Sequence, residues 1–284
     1  MLFSSLLVFF TGVACNDAPP ENPSTNEPQT QEPQKQEEPA KKFTLDVKNL
    51  DQKLIQEIAL VPSPAEMQKA LSKAGLQSKL STLASASKPL TMNTDNPDQL
   101  AVRCGVVLAE LALTVKTAEN DRIISNLALL KEGFTKLKAG NKFLKTIDEL
   151  SSSVQTGAKS RDDLLKEMDQ LAGIMVPELK KELGDWVVPL VQAGSWLKGA
   201  NLVASAIEEE NKFEVSTRLL KQPHVIEYFL KYVRREGKEK APDEVIAQLE
   251  KTLLDLRVIS QKSSLAKEDV LSIKTNTQSV LQFL

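Results

Sequence analysis

Apolar residues that recur every three to four positions run through most of residues 43–284, and this spacing limits the folds open to the chain. The clearest repeats cover residues 123–137, 164–175, 245–256 and 270–281. Such spacing gives an α-helix one apolar stripe, whereas a half-buried strand needs strict alternation, which is not found here. We therefore predict an all-α fold in which residues 43–284 form a single bundle of roughly eight to ten helices.

Several predicted helices have recognisable ends. Ser63-Pro64-Ala65-Glu66 places Ser at the N-cap, Pro at the first helical position and Glu in the first turn, and Asn96-Pro97-Asp98 follows the same logic. Ser160 is expected to begin a further helix. Glycines are expected to end helices, because glycine readily adopts the left-handed conformation found there. The four glycines concerned are Gly75, Gly140, Gly184 and Gly237.

Residues 98–116, DQLAVRCGVVLAELALTVK, are apolar on nearly all sides when drawn as a helix. The polar side chains of Arg103, Glu110 and Thr114 share one narrow stripe. A helix that is apolar almost all round is usually buried, so we predict that it forms the centre of the bundle. Cys104 is expected to be a small core residue, since free Cys is among the most buried residue types.

The N-terminus, MLFSSLLVFFTGVACNDAPP, joins an uncharged apolar run to a cysteine. Residues 2–14 are too few to span a bilayer, which takes roughly 20, but they match the ~7–15 residues of a signal-peptide core. Small residues directly before Cys15 resemble the lipobox of bacterial lipoproteins. That resemblance implies that residues 1–14 are a lipoprotein-type signal peptide and that Cys15 is acylated and becomes the first residue of the mature protein.

Other interpretations of this N-terminus remain open. Gly12 stands where the lipobox usually has Leu, and no Lys or Arg precedes Lys35. An ordinary secretory peptide cleaved near Ala14, or a disordered apolar tip, would also fit. A disulfide between Cys15 and Cys104 is a further alternative.

Residues 15–42 are rich in Pro, Glu and Gln, and residues 16–42 contain no Val, Ile, Leu, Met or aromatic residue. Such a segment cannot bury enough apolar area to offset the entropy lost on ordering. We therefore predict a disordered tether that joins the lipid at Cys15 to the helical domain.

Few residues could support catalysis or bind a metal. With one His and two Cys, the chain cannot build a conventional Cys/His zinc site. His224 follows Pro223 at a predicted helix start, where an exposed side chain is expected. Ser195 and Lys198 match the S-x-x-K spacing of some acyltransferases, but that spacing recurs elsewhere without partner motifs. Residues 93–99 lack the glycine and distal glutamate of a calcium loop, so we predict no catalytic residue, metal or cofactor.

Small residues crowd the predicted helix VQAGSWLKGANLVASAI, residues 191–207. Each interior Gly costs about 1 kcal/mol relative to Ala. Gly194 and Gly199 therefore indicate either close contact with another helix or space left for a ligand. With Trp196 between them, one interpretation is tight packing around a large apolar side chain. The other is a site for a small or lipidic ligand formed by Gly194, Trp196 and Gly199.

Three motifs in this order and spacing, VPSPAEMQKALSKAG, NTDNPDQLAVRCGVVLAELA and AGSWLKGANL, resemble an uncharacterised group of helical secreted or lipid-anchored bacterial proteins, known mainly from Bacteroidetes. The similarity covers about residues 61–210. It implies a helical fold and a place in the cell envelope, but no activity. In similar sequences the last motif reads Gly-Gly-Trp with an acidic residue before the next Gly, whereas this chain has Ala193 and Lys198 at those places.

The formal net charge of −2 provides no strong positive field, so no nucleic-acid partner is expected. The sequence favours a non-enzymatic, lipid-anchored envelope protein that acts as a scaffold or accessory subunit of an unknown protein partner. Asn16 is not the Asp that some bacteria use for inner-membrane retention, which slightly favours the outer membrane, with the domain facing the periplasm or the surface. The alternative is a helical module that binds a small or lipidic ligand near Trp196.

Overall fold

The computed structural model describes residues 64–87, 90–234 and 243–284. Within these ranges the chain forms eleven α-helices and one short 3₁₀-helix, and no strand. The α-helices are α1 (Pro64–Ala74), α2 (Gln77–Ala86), α3 (Pro97–Thr114), α4 (Asn120–Lys136), α5 (Asn141–Thr156), α6 (Arg161–Leu183), α7 (Val187–Glu209), α8 (Ser216–Leu220), α9 (Pro223–Tyr232), α10 (Asp243–Ser260) and α11 (Lys267–Leu281), and the 3₁₀-helix is Phe213–Val215. The all-α prediction is confirmed. The helices outnumber those predicted because α8 has only five residues, too few to show a helical repeat.

Helix α3 is the central helix, as its composition predicts. Twelve of its 18 residues are buried, and its most extensive contact is with α7. The polar stripe of Arg103, Glu110 and Thr114 is buried as well. Because α3 has no solvent-facing side, its polar groups must find partners inside the protein.

Two apolar cores meet at the α3–α7 pair. The first core is built mainly from α3, α4, α5, α6 and the start of α7. The second contains α1, α2, the later part of α7 and the helices that follow it. Val191 of α7 belongs to the first core and Trp196 to the second, so this helix passes from one to the other. The described residues all belong to one compact unit.

Two of the predicted N-caps are confirmed. The side-chain oxygen of Asn96 accepts hydrogen bonds from the backbone N–H groups of Asp98 and Gln99, at 2.9 and 3.1 Å. Ser160 Oγ accepts from the N–H of Asp163 at 3.2 Å. Both side chains thereby satisfy helix N–H groups that have no partner within the helix. Ser63, the third predicted cap, lies outside the described residues.

The predicted helix ends are confirmed at Gly75 and Gly184, whose φ angles are +67° and +96°. The prediction for Gly140 is wrong. Lys138 takes the left-handed position after α4 instead, with φ of +64°, and Gly140 is the N-cap of α5 with φ of −66°. The N–H of Ala139 reaches back to Phe134 O at 2.9 Å and completes the end of the helix. Gly237 lies outside the described residues.

Cys104 is a fully buried free thiol, as predicted. Burial raises its pKa to about 12, because the thiolate is poorly solvated in the core. Gly133 of α4 makes room for the sulfur, since a Cβ there would collide with Cys104 Sγ and lie 3.1 Å from the sulfur of Met92. Cys104 is therefore a packing residue.

None of the helices in the described ranges combines the length and apolar character needed to cross a bilayer.

Candidate ligand-binding cavity

A cavity of about 520 Å³ is lined by residues from both apolar cores. Its walls come from α1, α3, α4, α5, α6, α7 and α8, together with Gln222, the residue that precedes α9. The volume falls within the ~300–1,000 Å³ that small-molecule sites usually occupy. Seven helices therefore converge on one ligand-sized space.

The lining of the cavity is mostly apolar and contains both buried and half-buried residues. Leu111, Leu127, Leu130 and Leu150 line it and are at most 3 % exposed. Half-buried small residues continue the lining towards solvent. They are Ala112, Gly173, Gly199 and Ala200. A mostly apolar lining with a few placed polar groups is typical of small-molecule sites.

Helix α7 brings Trp196 and Gly199 to the cavity. The indole N–H of Trp196 donates to Gln222 Oε1 at 2.8 Å, and its ring packs against Phe229 with 5.7 Å between centroids. This bond and this contact fix the orientation of the indole. A Cβ added at Gly199 would have no heavy atom within 4 Å. The absent side chain of Gly199 thus leaves open space beside a fixed aromatic wall.

Gly194, unlike Gly199, lies where α7 meets α3. A Cβ on it would lie 2.9 Å from the carbonyl carbon of Val102 in α3 and closer still to the oxygen. From the other side, a Cβ on Gly105 would collide with Val191 O and lie 2.8 Å from Ser195 N. The backbones of α3 and α7 therefore touch at this point, and Gly194 does not line the cavity.

The two interpretations of the small-residue helix therefore apply at different residues. Gly194 is a helix-contact glycine, whereas Trp196 and Gly199 line a ligand-sized cavity. That they bind a ligand stays a prediction.

A polar corner lies next to Trp196. Ser195 and Gln222 both line the cavity. Neither Ser195 Oγ nor the amide nitrogen of Gln222 has a hydrogen-bond partner within the described part of the chain. The side chain of Gln192, also in the lining, accepts a hydrogen bond from Tyr228 OH at 3.3 Å. Ser195 and Gln222 can therefore bond a ligand without giving up another interaction.

The part of the lining between α1 and α6 carries carboxylates. Asp169 of α6 and Glu66 of α1 both line the cavity, and Asp169 Oδ1 accepts from the N–H of Ala65 at 3.4 Å. Gly173, one turn after Asp169, also lines it. Its carbonyl lacks the usual helical donor, because Pro177 inside α6 has no N–H. The groups named in this part of the lining are all hydrogen-bond acceptors.

A buried ionic network is centred on Lys198 of α7 and Glu110 of α3. Lys198 Nζ lies 3.3 Å from Glu110 Oε2 and donates to Ser87 Oγ at 3.1 Å. The other oxygen of Glu110 accepts from Arg122 at 2.6 Å and from Asn126 at 3.0 Å. These bonds join α3, α4 and α7 to one another and to Ser87, the residue that follows α2. Pairing of this kind offsets the large penalty of burying a carboxylate and an ammonium group.

The bonds of Lys198 also bear on whether Ser195 and Lys198, the S-x-x-K motif, form a catalytic pair. Lys198 bonds to Glu110 and Ser87, while Ser195 lines the cavity. No hydrogen bond joins Ser195 to Lys198, so the motif does not form a nucleophile–base pair within the described residues. His224 is exposed at the second position of α9, as its sequence context predicts.

Within the described ranges, no group of three or more His, Cys, Asp and Glu side chains could hold a metal ion. Cys15, the predicted lipidation site, lies outside the described residues, as do the signal peptide (1–14) and the tether (15–42).

No family model, curated protein or solved structure matches this chain. The resemblance to helical envelope proteins of Bacteroidetes stays a prediction.

Sequence reasoning missed Asp169, Glu66 and Gln222 as cavity residues, because they lie in segments far from Trp196 in the chain. It also missed the pairing of Glu110 with Lys198. One signal was available for that pair, since each is a charged residue in a helix that is otherwise almost wholly apolar, and buried charges are usually paired.

Proposed function

We propose that this protein is a lipid-anchored envelope protein whose helical domain binds a small, mostly apolar ligand. The observation that carries the proposal is the cavity of about 520 Å³ with buried leucines at its depth and open space at Gly199. Burying ~200 Å² of apolar ligand surface would contribute about 5 kcal/mol at ~25 cal/mol per Å². Part of that free energy offsets the loss of ligand freedom.

The polar groups in the lining support an amphiphilic rather than a wholly apolar ligand. Ser195, Gln222 and Asp169 all line the cavity. A hydrocarbon would remove these groups from water without bonding to them, which costs free energy. A ligand with one polar end and an apolar body fits the lining better.

The proposed lipid anchor would determine where in the cell this binding module acts. Acylation of Cys15 would hold the domain at the envelope, with the outer membrane favoured and the domain facing the periplasm or the surface. The tether would let it reach molecules in or near the bilayer. The scaffold role, the absence of catalysis and an envelope protein partner stay predictions from the sequence.

Photo-crosslinking tests the binding site directly. The full chain is placed in nanodiscs of zwitterionic lipid, exposed to a long-chain alcohol with a diazirine in its tail, irradiated, and mapped by peptide mass spectrometry. We expect labelling of α3 and α7 peptides that contain Leu111 and Trp196. Gly199→Leu should lower this labelling several-fold, because its side chain would enter the open space next to Gly199.

Ser152→Leu is the matched control, since it adds a leucine at an exposed position of α5 outside the cavity. It should leave labelling unchanged. Equal labelling of the Gly199→Leu variant and the unmodified chain would refute binding in the cavity. The same spectra test the anchor, because the peptide beginning at Cys15 should carry acyl groups when the protein is made in its native envelope.

A further inference from the structure

The charges around the cavity point to a class of ligand. We propose that the cavity binds an amphiphile with an apolar tail and a positively charged head, such as a long-chain amine, and that the head lies at Asp169. This inference rests on the proposed function and adds the chemistry of the head group.

The first argument is the direction of the polarity gradient. Asp169 is half-buried and Glu66 exposed, whereas Leu111 and Leu130 are almost completely buried. The bond from Ala65 N–H to Asp169 keeps the first turn of α1 against α6, so both carboxylates lie in the same part of the lining. An amphiphile placed along this gradient has its head at the carboxylates and its tail among the leucines.

The second argument is charge complementarity. No Lys, Arg or His lines the cavity among the described residues, while the carboxylate of Asp169 does. Lys198 of α7 is buried beside Glu110 and is not part of the lining. An anionic head would lose hydration beside Asp169 without meeting a cation among the described lining residues, which is strongly unfavourable. A cationic head would meet a carboxylate instead.

The third argument is hydrogen-bond type. The carboxylate of Asp169 and the carbonyl of Gly173 are acceptors, and Pro177 removes the helical donor that the carbonyl would otherwise have. An ammonium group has three donors and no acceptor. It can therefore donate to a carboxylate and to a backbone carbonyl at once, which a carboxylate head cannot do.

The test uses three photoactivatable probes with one diazirine-bearing alkyl tail and three heads: amine, alcohol and carboxylate. Each is titrated against the full chain in zwitterionic nanodiscs, and labelling of the cavity peptides is measured. We expect half-maximal labelling by the amine at a concentration about 10-fold below that of the carboxylate, with the alcohol between them. A factor of 10 corresponds to about 1.4 kcal/mol.

The Asp169→Asn variant tests the assigned head-group contact. Asn keeps an oxygen that can accept from Ala65 N–H but removes the negative charge. The preference for amine over carboxylate should fall to about 3-fold or less, while labelling by the alcohol should stay the same. Asp148→Asn is the control, because Asp148 is an exposed carboxylate on α5 that pairs with Lys131 and does not line the cavity.

The outcomes separate the two proposals. One outcome is that Gly199→Leu blocks all three probes, but the carboxylate probe labels the unmodified chain as well as the amine probe does. The head-group inference is then wrong, and the cavity still binds amphiphiles. A preference for the amine that persists in Asp169→Asn would also overturn it. If no probe depends on Gly199, the proposed function itself fails.

Discussion

Two glycines five residues apart in α7 should respond to the same substitution in opposite ways. Gly199→Ala adds a methyl group where no heavy atom lies within 4 Å. Alanine is favoured over glycine in a helix interior by about 1 kcal/mol. We expect this variant to be stabilised by about 0.5–1 kcal/mol, which raises the Tm of a domain of this size by ~1–4 °C.

Gly194→Ala receives the same gain in helix propensity but places its methyl group against the backbone of α3. Its Cβ would lie 2.9 Å from the carbonyl carbon of Val102, where ordinary contact begins at 3.4 Å. A backbone cannot rotate away as a flexible side chain can, so α3 and α7 must move apart. Overpacking of this kind costs typically ~1–3 kcal/mol, and the central position of this pair places the cost at or above the upper end.

The assay is urea unfolding followed by far-UV circular dichroism, with both variants measured beside the unmodified chain. Because the gain in helix propensity is common to both variants, we expect their unfolding free energies to differ by the overpacking cost, about 3 kcal/mol or more, with Gly194→Ala the less stable. Equal stability of the two variants would show that α3 and α7 do not touch at Gly194. Destabilisation by Gly199→Ala would show that the space beside it is not open.

Further predictions concern three buried groups. Glu110→Gln should destabilise the fold by about 3–5 kcal/mol in urea unfolding, because Lys198 is then buried without its carboxylate. Cys104, whose pKa is raised to about 12, should not react with iodoacetamide at pH 8 until the protein unfolds. The thiol of Cys104 ionises at a lower pH in the unfolded chain than in the folded one, so the free energy of unfolding should fall as the pH rises above about 9. Cys104→Ala should remove this part of the pH dependence. Burial raises the pKa of Asp269, but hydrogen bonds from Lys262 and a backbone N–H outweigh it, so the net pKa is lowered. The Asp269 carboxylate therefore adds to the free energy of unfolding above about pH 4, and this contribution is lost as the pH falls through the lowered pKa. In Asp269→Asn the free energy of unfolding should fall less steeply in acid.

The helical fold could be predicted because its signals are local. The apolar repeat at Ile123, Leu127, Leu130 and Phe134 became the buried face of α4, and Asn96 caps α3 through its own side chain. Such features depend on residues a few positions apart. Gly140 shows the limit, because a non-glycine residue two positions earlier took the left-handed conformation.

The cavity could be predicted only in part, because its walls come from helices far apart in the chain. Trp196 and Gly199 were found from their unusual helix. Asp169 was not, because nothing in the sequence reports that α6 packs beside α1. The different roles of Gly194 and Gly199 follow from helix geometry, since five residues turn a helix by about 140° beyond a full turn. That angle separates the α3 side of α7 from the cavity side, but sequence alone does not show which side faces which neighbour.

The contact between α3 and α7 also sets how this protein can change during evolution. Gly105 and Gly194 admit no side chain, because each faces the backbone of the other helix. Gly199 is on the same helix, yet a Cβ there would have no heavy atom within 4 Å. Single substitutions at position 199 can therefore reshape the cavity in divergent copies of such a domain while the two central helices keep their spacing.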